Sequence, residues 1–289
     1  MVADPDRSPS LSSLRPPDNP AGSGDARILT GRTILAVFAH PDDESLACGG
    51  TLARAADAGA NVVLFCATRG ERGSISDATL VPDGDLGRVR TNELRDAAAV
   101  LGVADLAIFD HPDGDLRWAD GPELHAEIVA AIRHWRPDAI VTFDEDGLYW
   151  HLDHVGVHER TLSAGQSLGA DAPPLYLVTM PKGVMRELVD AAHAKGGASA
   201  DSSLWGIAPE VFGFEAEPPT FIIDVRQWIG RKLQALKCHR TQMGPQNPLA
   251  WIDEQEARRW LGVEQFRRAP TERSGEAILE QLGEPVASS

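Results

Sequence analysis

Short apolar runs separated by polar loops and by stretches of helical period recur along the first half of this chain. Residues 33–38 (Thr-Ile-Leu-Ala-Val-Phe) are apolar almost without alternation and end in a polar cluster, as expected of a strand buried on both faces of a parallel sheet. Residues 62–67, 106–109 and 139–143 repeat the pattern. Between them lie helical stretches at about 49–58, stopped by Gly59, at 88–101, closed by Gly102, at about 122–135, and from about His154 onward. Strand and helix in strict alternation predict a doubly wound, mostly parallel α/β sheet, Rossmann-like, with helices on both faces, because right-handed crossovers allow little else.

The flanks read differently. Residues 1–30 are rich in Pro, Ser, Asp and Gly without apolar period, which predicts a disordered lead-in. Residues 31–170 hold the predicted Rossmann-like core. Beyond about Ala170 the signal weakens: residues 175–180 and 221–225 read as strands, 194–203 as a flexible insertion, about 228–238 as a helix, and 254–262 as helical without a certain place. Residues 171–289 are therefore expected to form a C-terminal elaboration that contributes to the substrate site, without being clearly a separate domain.

Composition narrows the function. Forty-three acidic against 27 basic residues leave a formal charge of −16, which disfavours nucleic acid and anionic membranes as partners. The three cysteines, Cys48, Cys66 and Cys238, show no CxxC pairing, and the N-terminal residues lack the basic and apolar regions of a secretory signal. Both features predict a cytoplasmic protein. A homo-oligomer is compatible with the sequence, which carries no readable code for assembly.

In an open α/β sheet ligands bind where strands end at their carboxyl edge. Two such loops are crowded with metal-ligand residues: Ala39-His40-Pro41-Asp42-Asp43-Glu44 after the first strand, and residues 144–154, ending His151-Leu152-Asp153-His154, after the fourth. A catalytic zinc takes three protein ligands and keeps a position open. His40 and Asp43 on a tight turn can share one centre, with His154 as the third ligand. Asp42 then lies beside the metal, where it suits a general base acting on water. The same two-His-one-carboxylate set also accommodates Fe(II). Arg69, Glu71 and Arg72 follow the second strand and suit sugar hydroxyls or a phosphate as well as solvated loop charge. His111 and Asp113 end the third strand and suit a substrate role, though a turn with Pro112 and Gly114 explains them nearly as well, and His158 reads as a supporting histidine. No GxSxG elbow is present for a serine triad.

These loops resemble the N-acetylglucosaminyl-phosphatidylinositol de-N-acetylase family, also called LmbE-like, which includes the bacterial deacetylases of mycothiol and bacillithiol synthesis. Thr68-Arg69-Gly70-Glu71-Arg72-Gly73, Arg90 with Glu93, and His239 with Gln242 extend the likeness over about residues 32–245. The resemblance implies a zinc-dependent de-N-acetylase with metal ligands His40, Asp43 and His154 and general base Asp42. It further implies that His151 stabilises the oxyanion or assists the leaving amine, that Asp153 orients His151 and favours its cationic form, that Tyr149 polarises the amide carbonyl, and that His239 lines the substrate site. Leu152 departs from the family's usual proline.

The expected activity is removal of acetyl from an N-acetylated amino sugar, a small-molecule substrate of N-acetylglucosaminyl type. Two alternatives remain at this stage: an amidase acting on a mycothiol-type thiol conjugate, disfavoured by the absence of a lysine in Ser45-Leu46-Ala47, and a sugar-binding protein without turnover.

Overall fold

The computed structural model describes residues 27–118, 121–197, 203–270 and 276–286. Most of the predicted lead-in and the centre of the predicted insertion lie outside the described residues. In chain order the elements are β1 (Thr33–Phe38), α1 (Asp43–Asp57), β2 (Asn61–Thr68), α2 (Leu86–Leu101), β3 (Asp105–His111), α3 (Gly121–Trp135) and β4 (Ala139–Phe143). There follow a single turn α4 (Gly147–Trp150), α5 (Leu152–Leu168), β5 (Leu175–Thr179), α6 (Val184–Ala194), β6 (Phe221–Asp224), α7 (Ile229–Cys238), α8 (Glu254–Trp260), β7 (Val263–Arg268) and β8 (Glu284–Pro285).

One sheet runs through the molecule in the order β3-β2-β1-β4-β5-β7-β6-β8. The first five strands are parallel, and β6 to β8 join antiparallel. The chain leaves β1 toward β2 and β3, then returns to the other side of β1 with β4. β1 and β4 are therefore neighbours at the point where strand order reverses, and a crevice opens outside their carboxyl ends. Helices α1, α2 and α7 pack together, as do α3 and α5; right-handed crossovers put these groups on opposite faces. The central strands β1, β2, β4 and β5 are buried along nearly their whole length, whereas β7 alternates. That contrast is why the apolar runs were readable as strands and β7, Val263-Glu264-Gln265-Phe266, was not.

The weakly patterned C-terminal part continues the same sheet. Its strands β6 and β7 extend the parallel half beyond β5, and an ion pair from Arg267 to the buried Asp144 (2.6 Å) ties β7 to the end of β4. None of the described helices is long and apolar enough to cross a membrane.

Helix α1 begins at Asp43, well before the expected position near residue 49, and is broken at Cys48 (φ −146°). The break leaves a second set of unsatisfied amides inside the helix. The Glu264 carboxylate from β7 accepts from Gly50 N (2.9 Å) and Thr51 N (2.7 Å), and Lys232 of α7 donates to it at 2.6 Å. Sequence periodicity cannot show a cap delivered from so far along the chain. Lys232 and Glu264 are both 2% exposed, so removing one partner strands a buried charge. Lys232→Ala is expected to destabilise the fold by about 3–5 kcal/mol. Urea unfolding tests this, and a loss below about 1 kcal/mol would show that the pair is not a structural requirement.

Candidate active site

The crevice is built from the turns that end β1 and β4. At β1 the chain reverses through His40-Pro41-Asp42 into α1. Asp42 caps that helix with φ 122° and ψ −24°, a conformation that is sterically costly for any residue with a side chain. Its carbonyl accepts from Ser45 N and Leu46 N, both at 3.1 Å. Its own N–H donates to Glu44 Oε2 (3.1 Å). At β4 the turn is tighter still: Gly147, Leu148 and Trp150 all have positive φ (53°, 68°, 61°). A Cβ on Gly147 would meet His154 Cβ at 2.8 Å, so this position needs glycine for both its torsion and its closeness to a site histidine.

The two turns bring His40, Asp43 and His154 together. His154 Nδ1 faces the Gly147 carbonyl at 3.0 Å, which assigns the proton to Nδ1 and leaves the Nε2 lone pair free. The ring is stacked on Phe143 (4.0 Å, 5° between planes). His40 Nε2 lies between two carboxylates, Asp153 at 3.0 Å and Asp113 at 3.1 Å, so it carries the proton and Nδ1 is the free lone pair. These two nitrogens face each other at 3.3 Å. Asp43 offers one oxygen to each, Oδ2 to His40 Nδ1 at 3.4 Å and Oδ1 to His154 Nε2 at 3.1 Å.

Lone pairs converging without a hydrogen between them are repulsive unless a cation intervenes or an imidazole takes a second proton. Ligands of a tetrahedral ion with bonds of 2.0–2.1 Å stand roughly 3.3–3.4 Å apart, which matches the nitrogen separation. The residues thus fit a divalent metal. Two sets of ligand-type atoms lie within 4.8 Å of one another, His40 with His151 and His154, and His40 with Asp113 and Asp153. The second set is a hydrogen-bonded imidazole rather than a ligand set, because the two carboxylates compete for the proton on His40 Nε2. In the first set Asp43 is the better third partner, since it touches both imidazoles and supplies the negative charge they lack.

The electrostatics follow from this crowding. Burial alone would lower the His40 pKa, but the hydrogen-bonded Asp113, Asp153 and Asp43 carboxylates hold it well above the usual imidazole value. Burial opposes ionisation of Asp43 too, yet His154 and His40 hold its carboxyl well below the ordinary range. Asp42 is different. Burial lifts its carboxyl to about 6, against the pull of Arg90 and with a push from Asp43. Arg90 Nη2 donates to Asp42 Oδ2 at 3.1 Å and to the Pro41 carbonyl at 2.6 Å.

His151 caps α5, and its Nδ1 accepts the Asp153 backbone N–H at 3.2 Å. Burial, then the neighbouring His154 and His40, bring its pKa down to about 4. The expected cationic His151 oriented by the Asp153 carboxylate is not what the geometry contains. The Asp153 carboxylate points away, to Gly114 N (2.7 Å), Leu116 N (3.0 Å) and His40. His151 is instead neutral, with Nδ1 as acceptor and its proton on Nε2. Tyr149 lines the same cleft and packs on Phe212 (4.6 Å) and His154 (5.1 Å); burial pushes its phenol well above the usual value, so it stays a donor.

The cleft has a volume of about 320 Å³ and is lined by His40, Asp42, Asp43, Tyr149 and His151 together with Arg72, Ser74, Arg90, Asp113 and Gln242, with Leu46, Trp205 and Ile207 as its apolar part. The three expected substrate contacts lie elsewhere. Arg69 pairs with Asp110 at 3.1 Å on the surface, and Glu71 accepts from Asp113 N at 2.8 Å. His239 is fully buried and bonds Glu44 at 3.0 Å, beneath the Asp42 turn rather than in the cleft. Period and spacing place residues on a loop but not on one side of it, so Arg72 could not be separated from Arg69. Asp113 was masked by its Pro-Asp-Gly setting, which reads as a turn.

Comparison with known proteins points the same way as the geometry. Residues 35–165 match the model of a family described as GlcNAc-PI de-N-acetylase. A 1D-myo-inositol 2-acetamido-2-deoxy-alpha-D-glucopyranoside deacetylase of Thermobispora bispora is 34% identical over 268 residues, covering 82% of this chain and 88% of that protein. The chain belongs to the GlcNAc-PI de-N-acetylase family. The family span contains the turns that end β1 and β4, with Arg90 and Asp113, whereas Trp205, Ile207 and Gln242 lie beyond it. Among solved structures, the N,N'-diacetylchitobiose deacetylase of Pyrococcus horikoshii shares the family fold at TM-score 0.54 and 20% identity, covering 83% of this chain and 84% of that one. The 4-carboxy-2-hydroxymuconate hydratase of Pseudomonas putida shares it as well, at TM-score 0.58 and 21% identity, covering 84% and 98%. The fold therefore carries more than one reaction, and function has to be argued from the site.

Proposed function

We propose that this protein is a metal-dependent amide hydrolase that removes acetyl from an N-acetylglucosaminyl-type substrate, with His40, Asp43 and His154 as metal ligands. The observation that carries the reading is the convergence of His40 Nδ1 and His154 Nε2, 3.3 Å apart, on the two oxygens of Asp43, beside a carboxylate whose pKa burial has lifted to about 6. Two histidines and one carboxylate suit zinc, the metal proposed here, and a site that also holds an elevated carboxylate and neutral donors suits hydrolysis better than iron-dependent oxygen chemistry. A divalent ion at this centre supplies Lewis acidity, lowering the pKa of water and polarising the acetamido carbonyl.

The chain's own residues do the rest. Asp42 accepts a proton from the attacking water; Arg90 holds the carboxylate in place and keeps part of its population ionised. The His151 Nε2–H and the Tyr149 hydroxyl donate to the oxygen that gains charge as the carbonyl carbon becomes tetrahedral. Asp42 then returns its proton to the departing nitrogen, so that acetate and a free amine leave and the carboxylate is restored. Asp153 acts through His40, fixing its tautomer so that Nδ1 faces the metal. A hydratase reading, allowed by the fold, leaves the paired donors around an amide carbonyl without a task.

The test is release of acetate and free amine from N-acetylglucosaminides by metal-loaded protein, compared with thiol conjugates of the corresponding glucosaminyl compound. Turnover of the conjugates alone would replace the deacetylase by the amidase alternative. Tight binding of N-acetylglucosaminides without any turnover would establish the sugar-binding alternative. The pH profile is a further check. Asp42 must be ionised to act, so kcat/KM is expected to fall about tenfold per unit as pH drops below the Asp42 pKa. That pKa is about 6 from the protein environment, and a nearby cation can only move it lower. An acidic limb centred above pH 7 would exclude Asp42 as the base.

A further inference from the structure

The Asp42 backbone needs an external hold. With φ 122° and ψ −24° the residue sits where a side chain is sterically costly, so release of its N–H would let the turn relax and swing the carboxylate out of place. That N–H donates to Glu44 Oε2 (3.1 Å). A glutamate in the first turn of a helix ordinarily sits in solvent and interacts with the helix dipole, but Glu44 is buried and reaches back two residues to Asp42. Its other oxygen, Oε1, accepts from the Ser45 hydroxyl and from His239 Nε2 (3.0 Å).

His239 comes from the C-terminal end of α7, 195 positions from Glu44. Its ring is fully buried, and Nδ1 meets no partner among the described residues. A buried nitrogen without a partner is unfavourable, so an apolar side chain would suit the packing better, and the ring is kept for what Nε2 holds. Burial works against protonation, but the Glu44 and Asp42 carboxylates hold the imidazole above its ordinary pKa, so Nε2 carries a proton and donates. The segment that carries His239 is itself locked. Thr241 donates its N–H (3.0 Å) and its hydroxyl (2.6 Å) to Glu93 of α2, and Gln242 Nε2 donates to the Ser74 carbonyl (2.8 Å). One turn along α2 from Glu93 is Arg90, which holds the Asp42 carboxylate. Asp42 is thus held twice, at its side chain by Arg90 and at its backbone by Glu44 with His239 behind it.

We propose that His239 is a positioning residue for the general base: through Glu44 it holds the Asp42 N–H and so fixes where the Asp42 carboxylate points. The inference rests on the de-N-acetylase reading for the base role of Asp42. His239 and Glu44 are not among the residues that line the cleft, so their loss acts on the rate of the chemical step and not on substrate binding. His239 also lies outside residues 35–165, so the aim of a base inside the family span is set from beyond it.

The experiment compares metal-loaded wild type with His239→Leu, which removes the donor, and His239→Gln, whose amide stands where Nε2 stands. Acetate release from an N-acetylglucosaminide gives kcat and KM, and hydrogen exchange of the Asp42 amide, followed by NMR, reads the hold directly. Metal content and thermal unfolding are measured on the same samples. His239→Leu is expected to lose about 10- to 100-fold in kcat, the effect of a small misplacement of a reacting group, with KM and metal content close to wild type. Its Asp42 amide is expected to exchange at least roughly tenfold faster, and His239→Gln to regain most of both losses. In an Asp42→Asn background the effect of His239→Leu on kcat should vanish, because the group being positioned is gone, whereas a merely structural role would lower kcat there too. Unchanged kcat or unchanged Asp42 exchange in His239→Leu, or a glutamine variant as impaired as the leucine one, would overturn the proposal. Should the leucine variant unfold, His239→Asn decides, since its amide stands where Nδ1 stands and points away from Glu44; kcat and exchange equal to wild type would then overturn it. A wild type that releases no acetate would remove the deacetylase reading, while Asp42 exchange in the variants would still decide whether His239 holds the turn.

Discussion

Asparagine in place of Asp42 is expected to cut kcat for amide hydrolysis by about 10²–10⁴-fold, the usual worth of a positioned general base, with metal content unchanged. The substitution isolates the chemistry. Asparagine keeps the shape of the side chain and an oxygen that can accept from Arg90, and it tolerates positive φ better than most residues, which matters at φ 122°. It cannot take up the proton. Steady-state release of acetate, paired with metal analysis and a thermal unfolding curve, separates loss of the base from loss of the site. Activity within a few-fold of wild type would require another proton acceptor. None with a comparably elevated carboxyl lines the described cleft: burial opposes ionisation of Asp113, but the His40 imidazole holds it down at about 2.

His154→Ala should have the second large effect, loss of stoichiometric metal and of activity together. His154 supplies one of the two facing nitrogens and is fully buried against Phe143. Asp153→Asn is the graded control. It touches the centre only through His40 Nε2, and loss of such an outer partner typically lowers metal affinity roughly 10–100-fold. Metal titration of the apoproteins therefore should rank wild type above Asp153→Asn above His154→Ala. An unchanged metal affinity in His154→Ala would assign the centre to other ligands, with His151 the first to examine because it lies in the same cluster.

The parts of the fold that could be anticipated share a physical property. β1 and β4 coincide with their apolar runs because both faces of a central parallel strand are buried, which leaves a continuous signal. The helix at residues 86–101 ends at Gly102 with φ 79°, where a left-handed terminus favours glycine. The start of α1 and the strand β7 were misplaced or missed for the opposite reason. Their determinants are distant in sequence: Glu264 caps amides in the middle of α1, and β7 has only one protected face.

The site divides in the same way. His40, Asp42, Asp43 and His154 could be named from residue type and spacing, and His151 from the family resemblance, because the sheet places both loops at one edge. Which carboxylate serves which imidazole could not. Asp153 and His151 are two apart in sequence, yet Asp153 faces His40 (3.0 Å), since α5 turns its carboxylate toward the amides of Gly114 and Leu116. His239 looked like a substrate ligand and supports Glu44 from beneath.

From the chain alone come the alternation that dictates a doubly wound sheet and the donor atoms available at its edge; these depend on local burial and on composition. The tautomer of His40 and the meeting of its Nδ1 with His154 arise only when residues more than a hundred positions apart come into contact, and the lifted carboxyl of Asp42, the neutral His151 and the indole at the cleft wall arise only with burial in the folded cleft. Hydrogen bonds and charges in a low-dielectric interior are set by such contacts, and spacing along the chain does not encode them.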